Sequence, residues 1–234
     1  MIALQYFLER DDTTVSKPDL EARSPWAALT DITEVEIKPV EHKSIHTSIT
    51  IPGSKSVTNR ALIIAGLAEG TSELSGILRS DDSYWCIDAL RHLGIAVEVE
   101  GDTVRIEGCS GEWPKKETEL YIGAAGTIAR FLPGALAISQ HGNFHIKASK
   151  RMSERPVRPL MEALETLGAN IEYFQKEGFY PLRVHANGLT GGEVSISGKL
   201  SSQFISGLLL AGTYAENDLT VTIPDYIVQH AYVK

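Results

Sequence analysis

The stretch Pro52-Gly53-Ser54-Lys55-Ser56-Val57-Thr58-Asn59-Arg60 decides how the rest of the chain is interpreted. An alternating run, His46-Thr47-Ser48-Ile49-Thr50-Ile51, precedes it and predicts a strand, while the apolar run 61–68 predicts a helix. The Pro-Gly turn thus delivers Lys55 and Arg60 to a helix start, where free N–H groups and the helix dipole attract anions. The stretch predicts a phosphate or carboxylate site, although an ordinary capped helix with two solvated cations has the same pattern.

The composition is that of an acidic α/β protein. The 234 residues suffice for one large domain or two small ones, and 43% hydrophobic content supports a core. A net charge of -8 argues against non-specific nucleic-acid binding, so any anion site must be a local positive pocket. Cys86 and Cys109 lack metal-ligand spacing, which predicts reduced thiols and no metal site. With no membrane-length apolar run and no secretory signal, we expect a cytoplasmic protein.

An internal repeat organises the chain from residue 47 onward. The segment 88–94 resembles the segment 162–168, and each ends in a glycine of the kind that terminates helices. A strand, a helix and a second strand precede each segment, and two strands follow it. We therefore expect β-α-β-α-β-β units at about 47–110, 118–187 and 192–234, the last stopping before its second helix.

The N-terminal region carries weaker signals. Residues 1–33 are rich in turn-forming residues and predict a poorly organised extension. A short strand is expected at Glu34-Val35-Glu36-Ile37, and we expect the repeat-containing region to span 34–234.

Each unit opens its first helix with a small, polar turn. The second turn is Gly123-Ala124-Ala125-Gly126-Thr127, with Arg130 further along, and the third is Gly198-Lys199-Leu200-Ser201-Ser202-Gln203. If the units pack with pseudo-symmetry, the three helix N-termini share one end, which suits a ligand with several negative groups. Routine N-capping is the alternative explanation.

A basic segment, 147–158, lies between a predicted strand and a helix at 159–167. Its arginines, Arg151, Arg155 and Arg158, can each grip a carboxylate or phosphate through two parallel hydrogen bonds, although such charge runs are often solvated faces. Asp81 and Asp82 could form a carboxylate pair, but their place before a helix favours N-capping, with Asp82 also able to pair with a cation.

These segments resemble the enolpyruvyltransferase family. The resemblance is carried by PGSKSVTNRAL (52–62), RSDD (79–82), GAAGT (123–127), RMSERP (151–156) and LSSQF (200–204), in that order. The branch that uses shikimate 3-phosphate as acceptor fits best. The branch that uses UDP-N-acetylglucosamine has Ala-Lys-Asn where this chain has Ser54-Lys55-Ser56, and its reactive cysteine has no counterpart in Cys86 or Cys109.

The resemblance implies one lobe of a two-lobed fold, each lobe holding three β-α-β-α-β-β units with pseudo-threefold symmetry. It implies transfer of the enolpyruvyl group of phosphoenolpyruvate to the 5-hydroxyl of shikimate 3-phosphate, with release of phosphate. No metal or organic cofactor is expected. From the charge and the lack of a membrane-length run we expect no nucleic-acid or membrane partner, and we expect a monomer. The resemblance implies glyphosate as an inhibitor in the phosphoenolpyruvate space.

The resemblance also implies residue roles. Lys55 touches both substrates, and Gly126 and Arg151 hold phosphoenolpyruvate, with Arg130 and Arg155 supporting the anion field. The contacts implied for shikimate 3-phosphate are Ser56, Arg60, Ser201, Ser202 and Gln203, with a looser match at Tyr226.

The chain departs from the family in two ways. Ala124 stands where many members have Asn, so one polar contact is absent or replaced. The acid–base carboxylates of the family belong to its second half, which this chain lacks. We therefore expect the N-terminal part of a synthase, inactive by itself. A binding lobe without catalysis, or an enolpyruvyltransferase for another acceptor such as UDP-N-acetylglucosamine, is the alternative.

Overall fold

A computed structural model describes residues 20–27, 34, 36, 37 and 48–233. The helices are α1 (Lys55–Leu67), α2 (Asp81–His92), α3 (Ile128–Ala137), α4 (Lys150–Ser153), α5 (Arg158–Thr166) and α6 (Ser202–Gly212), with short 3₁₀ helices at Leu20–Ala22 and His230–Tyr232. The strands are β1 (Thr71–Leu74), β2 (Val97–Glu100), β3 (Thr103–Glu107), β4 (Glu117–Tyr121), β5 (Gly142–Lys147), β6 (Asn170–Tyr173), β7 (Leu182–Ala186), β8 (Gly192–Ser195) and β9 (Leu219–Thr222).

Three separate sheets correspond to the three predicted units. The first has the order β1-β3-β2 and is antiparallel. The second has the order β4-β5-β7-β6, in which β4 and β5 are parallel. The third pairs β8 with β9 in parallel. The mixed α/β architecture of repeated units is therefore confirmed, while the exact unit boundaries remain predictions.

The strand predicted at 46–51 was wrong for the part that can be checked. Residues 48–51 form no strand, and the side chains of Ile49 and Ile51 are 77% and 75% exposed. His46 and Thr47 lie outside the described residues. The opening strands of the other units, β4 and β8, pair with β5 and β9, whereas within the described chain β1 pairs with β3 alone. The alternation of apolar and polar residues predicted this strand, but a strand forms only where its backbone N–H and C=O groups find a partner strand.

The strand expected at 34–37 is also absent at the residues that can be checked. Glu34, Glu36 and Ile37 have no strand structure, and Val35 lies outside the described residues. Part of the expected extension is ordered: residues 20–27 pack against α2, and Ser24 is only 7% exposed. In the described segments, none of the helices combines the length and apolar character needed to cross a bilayer.

The first helices of the three units, α1, α3 and α6, run parallel. For α1 and α6, Arg60 contacts Ser206. Seven residues further along α1, the Leu67 carbonyl accepts from Tyr214, just beyond the end of α6.

Two positions of contact between α3 and α6 establish the same direction for this pair. A Cβ on Gly207 would lie 2.2 Å from the Arg130 carbonyl oxygen, and four residues further along a Cβ on Gly134 would lie 3.0 Å from Ala211 Cβ. Because Gly207 has no side chain, the two backbones approach closely and the helix N-termini share one end.

Pro133, inside α3, accounts for the hydrogen bond made by the buried hydroxyl of Tyr180. Pro133 has no N–H, so the carbonyl of Ala129 loses its partner within the helix. The hydroxyl of Tyr180 donates to that carbonyl at 2.7 Å instead. Tyr180 is 1% exposed, and its burial raises the pKa of the phenol. The side chain thus satisfies a backbone acceptor that no water reaches.

We predict that Tyr180→Phe destabilises the protein by about 1–3 kcal/mol, because a buried carbonyl is left unpaired. Urea unfolding followed by circular dichroism measures the change. Tyr173→Phe is the matched control, since it removes the hydroxyl of a partly buried tyrosine on β6. If Tyr180→Phe and Tyr173→Phe had equal free energies of unfolding, the role assigned to the Tyr180 hydroxyl would be wrong.

Candidate anion-binding site

The first turn places Lys55 at the opening of α1. Ser54 is the N-cap, and its hydroxyl accepts from the Val57 amide at 3.4 Å. Lys55 Nζ lies 3.5 Å from Asp82 Oδ2, and the lysine side chain is 51% exposed. A carboxylate from the next helix therefore orients the amine without burying it.

Asp82 belongs to a network that joins the first two turns. Thr127 Oγ1 donates to Asp82 Oδ2 at 3.3 Å, and Asn59 Nδ2 donates to Thr127 Oγ1 at 2.8 Å. Ser80, rather than either aspartate, caps α2, with Ser83 completing a capping box. The expected N-capping role for the aspartates was wrong, because the smaller serine takes that position, while the expected pairing of Asp82 with a cation is present.

Arg60 links the first turn to the third unit. Its Nη1 donates to the Ser56 carbonyl at 3.0 Å, and its Nη2 donates to Ser206 Oγ at 2.6 Å. The guanidinium also packs over the rings of Phe131 and Tyr232, with 4.8 and 5.2 Å to the centroids. Burial lowers the pKa of Arg60.

The second turn carries a buried positive charge. Arg130 is 4% exposed, and its Nη1 donates to the Gly126 carbonyl at 2.8 Å and contacts Met152 Sδ at 3.6 Å. Its Nε finds no hydrogen-bond partner among the described residues. Burial, and then repulsion from Arg155, lowers the pKa of Arg130 to about 10, so the group is still cationic at neutral pH. A buried charge without a carboxylate partner favours an incoming anion.

Gly126 lies directly beneath two guanidinium groups. A Cβ there would lie 3.0 Å from Arg155 Nη1 and 3.2 Å from Arg130 Nη1. Any side chain would therefore occupy space between the arginines and the turn.

The basic segment divides into two parts. Arg151 and Arg155 line an open cavity of about 370 Å³, together with Ala124, Met152 and Glu154. Lys147 instead pairs with Glu119 at 2.6 Å, and Arg158 pairs with Glu177 at 2.8 Å. The segment as a whole is thus not one site, because its two ends form ion pairs at the surface.

The third turn is held in place by Asp225, which the sequence analysis did not single out. Asp225 accepts from Ser197 Oγ at 2.6 Å and from the Gly198 amide at 2.8 Å, and the bond from Ser197 contributes most to lowering the pKa of Asp225. Tyr226, next in the chain, is 66% exposed, and its ring centroid lies 5.9 Å from Lys199 Nζ. Asp225 lies three residues after the end of β9, outside the periodic pattern of any helix or strand, so no sequence pattern indicated its role.

Two serines open α6. Ser201 is the N-cap and accepts from the Gln203 amide at 3.2 Å. The hydroxyl of Ser202 is buried and has no hydrogen-bond partner in the described part of the chain. Because this hydroxyl is closed to solvent, the accessible polar groups of the third turn are those of Ser201 and Gln203.

The structure brings most of the predicted residues to one end of the helix bundle. Asn59 joins the first turn to the second, Arg60 joins the first helix to the third, and Arg130 lies 5.7 Å from the ring of Phe204 on the third. Sequence reasoning missed Asn59 and Ser206 as connectors, although Asn59 stands within the quoted stretch.

Comparison with known proteins identifies the family. Residues 40–234 match the profile of EPSP synthase (3-phosphoshikimate 1-carboxyvinyltransferase). The chain belongs to the EPSP synthase family. A relative from Halalkalibacterium halodurans, named 3-phosphoshikimate 1-carboxyvinyltransferase 2, is 56% identical over 215 residues, which are 92% of this chain and 47% of the relative.

Other members agree with this assignment. The 3-phosphoshikimate 1-carboxyvinyltransferase of Nitrosomonas europaea is 41% identical over 80% of this chain and 43% of its own length. The solved EPSP synthase of Acinetobacter baumannii superimposes with a TM-score of 0.69 at 29% identity, over 78% of this chain and 41% of that one. The chain thus spans about half the length of the EPSP synthase family members it matches.

We predict that Arg130→Gln weakens binding of a small anion, with inorganic phosphate as the probe, by about 1.5–3 kcal/mol, the usual contribution of a charged hydrogen bond. The melting temperature without ligand should change little, because loss of the hydrogen bond to the Gly126 carbonyl is offset by removal of a buried charge that has no carboxylate partner among the described residues. NMR titration and thermal melting measure the two quantities.

Arg105→Gln, at an exposed position of β3, is the matched control for this variant. A lower melting temperature with unchanged affinity would mean that Arg130 serves packing alone.

Proposed function

We propose that this chain supplies the substrate contacts of the first half of a 3-phosphoshikimate 1-carboxyvinyltransferase. The reaction transfers the enolpyruvyl group of phosphoenolpyruvate to the 5-hydroxyl of shikimate 3-phosphate and releases phosphate. The observation that carries the proposal is the convergence of three parallel helix N-termini on one end, where Arg130 is buried with no acidic partner among the described residues.

The first and third turns are suited to shikimate 3-phosphate. Ser201 and the unpaired hydroxyl of Ser202 stand at the N-terminus of α6, where backbone amides and the helix dipole favour a phosphate. Ser56 and Gln203 complete the polar rim. Arg60, tied to Ser206, brings a cation between the two turns.

The second turn is suited to phosphoenolpyruvate. Gly126 lets the guanidinium groups of Arg130 and Arg155 lie close to the turn. Arg151 lines the adjoining cavity, so a ligand there would meet positive charge. We assign contact with both substrates to Lys55, whose half-exposed amine lies 3.5 Å from Asp82 Oδ2. Oriented cations of this kind stabilise negative charge that develops during transfer.

The acid–base step needs further groups. Proton transfer at the phosphoenolpyruvate methylene and at the attacking hydroxyl requires positioned acids and bases. We assign these to the half of the relatives that this chain does not span. The expected cytoplasmic location and monomeric state belong to the same proposal.

The competing acceptor is UDP-N-acetylglucosamine. That branch uses a reactive cysteine, and thiolates, not thiols, react. Burial raises the pKa of Cys86, and it raises the pKa of Cys109 to about 11. Both thiols stay protonated at neutral pH, which favours shikimate 3-phosphate. Calorimetric titration with each acceptor tests the choice: binding of the nucleotide sugar alone would overturn it.

We predict that Arg60→Ala and Ser201→Ala each weaken shikimate 3-phosphate binding by about 1.5–3 kcal/mol, since each removes a charged or phosphate hydrogen bond. Isothermal titration calorimetry gives the affinities, and Arg105→Ala is the control for loss of an arginine. Equal affinities with unchanged melting temperatures would mean that both residues are structural.

We also predict that shikimate 3-phosphate binds this chain more tightly than phosphoenolpyruvate or glyphosate. Two helix N-termini and Arg60 converge on the former, whereas a small ligand held by few donors barely offsets its lost rigid-body freedom. Thermal-shift titrations with each ligand separately measure the order. A larger shift with phosphoenolpyruvate would contradict the assignment of the three turns.

A further inference from the structure

Residues 20–27, termed here the N-terminal clasp, bind the first residue of α2. The amide and the hydroxyl of Ser24 both donate to Asp81 Oδ1, at 2.8 and 2.7 Å. Arg23 Nη1 lies 3.6 Å from the other carboxylate oxygen, Asp81 Oδ2. Asp81 is therefore held by the clasp, while its neighbour Asp82 faces Lys55.

The clasp also binds the second unit. Tyr121, at the end of β4, donates its hydroxyl to the Glu21 carbonyl at 3.0 Å. Trp85, on α2, donates its indole N–H to the Ala22 carbonyl at 2.9 Å. Because α2 belongs to the first unit and β4 to the second, the clasp spans the junction between the two units.

Aromatic side chains fill this junction. Edge-to-face contacts connect Trp26 to Tyr84, Tyr84 to Trp85, and Trp85 to Tyr121, with centroid separations of 5.5, 5.2 and 5.0 Å. Arg79 lies 4.6 Å from the Trp26 ring centroid. Such contacts have specific geometry, so they fix orientation as well as bury area.

Trp85 connects the clasp to the second anion-binding turn. A Cβ on Gly123 would lie 2.3 Å from Trp85 Nε1, so the indole packs directly against this glycine, whose φ is +54°. The Gly123 carbonyl in turn accepts from the Ser149 amide at 3.0 Å. Ser149 immediately precedes α4, which carries Arg151. Three successive contacts thus lead from Ala22 to Arg151.

We propose that the clasp is a positioning element of the site: it holds α2 against the Gly123 turn and so sets the spacing between Lys55 in the first unit and Gly126 and Arg151 in the second. The identity of the ligands rests on the proposed function, but the geometric claim does not. The clasp precedes residue 40, where the match to the family begins. Trp85 acts through Gly123 and touches no ligand.

The first test needs no ligand. Hydrogen exchange is measured in the chain, in a deletion of residues 1–27, and in a deletion of 1–19 that retains the clasp. We expect deletion of 1–27 to reduce protection of the Ser149 and Ala125 amides by about tenfold, as local opening does, and to leave β5 and β7 unchanged. Trp26→Ala, with Trp26→Phe as its aromatic control, checks the same amides in a full-length chain.

The second test measures affinity. Deletion of 1–27 and Trp26→Ala should each weaken phosphoenolpyruvate and shikimate 3-phosphate binding by about fivefold or more. The 1–19 deletion and Trp26→Phe should bind like the unaltered chain.

Three results for the 1–27 deletion would overturn the proposal. Exchange at the Ser149 and Ala125 amides could be unchanged, or it could increase equally at β5 and β7. Exchange could also increase at Ser149 and Ala125 alone while both ligands bind as tightly as before. If the unaltered chain binds neither ligand, the proposed function fails, and the exchange experiment alone decides whether the clasp positions the turn.

Discussion

The close contact between α3 and α6 at Gly207 is the constraint on which the site depends. Backbone meets backbone there, since a Cβ on Gly207 would lie 2.2 Å from the Arg130 carbonyl oxygen. Helices this close keep their direction and axial position fixed with respect to one another. The turns that open α3 and α6 are therefore held at one end, and α1 joins them through Arg60 and Asn59.

The buried positive charge at this end of the helices lowers the stability of the fold. Arg130 is buried with Arg155 nearby, and its pKa is lowered to about 10. Burying an unpaired charge costs free energy that the apolar core must offset. An anionic ligand bound beside Arg130 would lower this cost, because it would supply the opposite charge that the described residues do not place there. Lys55 is different: Asp82 orients it, and its half-exposed amine keeps access to solvent.

The contrast between Lys147 and Arg151 shows how position decides the role of a cation. Both lie in one basic segment, yet Lys147 ends strand β5 and reaches Glu119 on the parallel neighbour β4. Arg151 lies on the short helix α4 and lines the cavity beside Ala124. Two cations of one segment therefore differ in their surroundings, one in a surface ion pair and the other, four positions away, in the wall of a cavity.

Local patterns in the sequence were enough to predict the repeated units, the ends of most helices and the three polar turns. Periodicity, capping residues and terminal glycines supply these patterns within a few neighbouring residues. The sequence also determined the family, through five motifs in order. It failed for the strand at 46–51, since pairing partners are not local. Four features became visible only in the folded chain: Arg130 is buried with no acidic partner among the described residues, Asp82 contacts Lys55, Asp225 holds the third turn, and residues 20–27 contact two units. Each of these contacts joins residues far apart in the chain, and no local pattern encodes which distant side chain fills a given space.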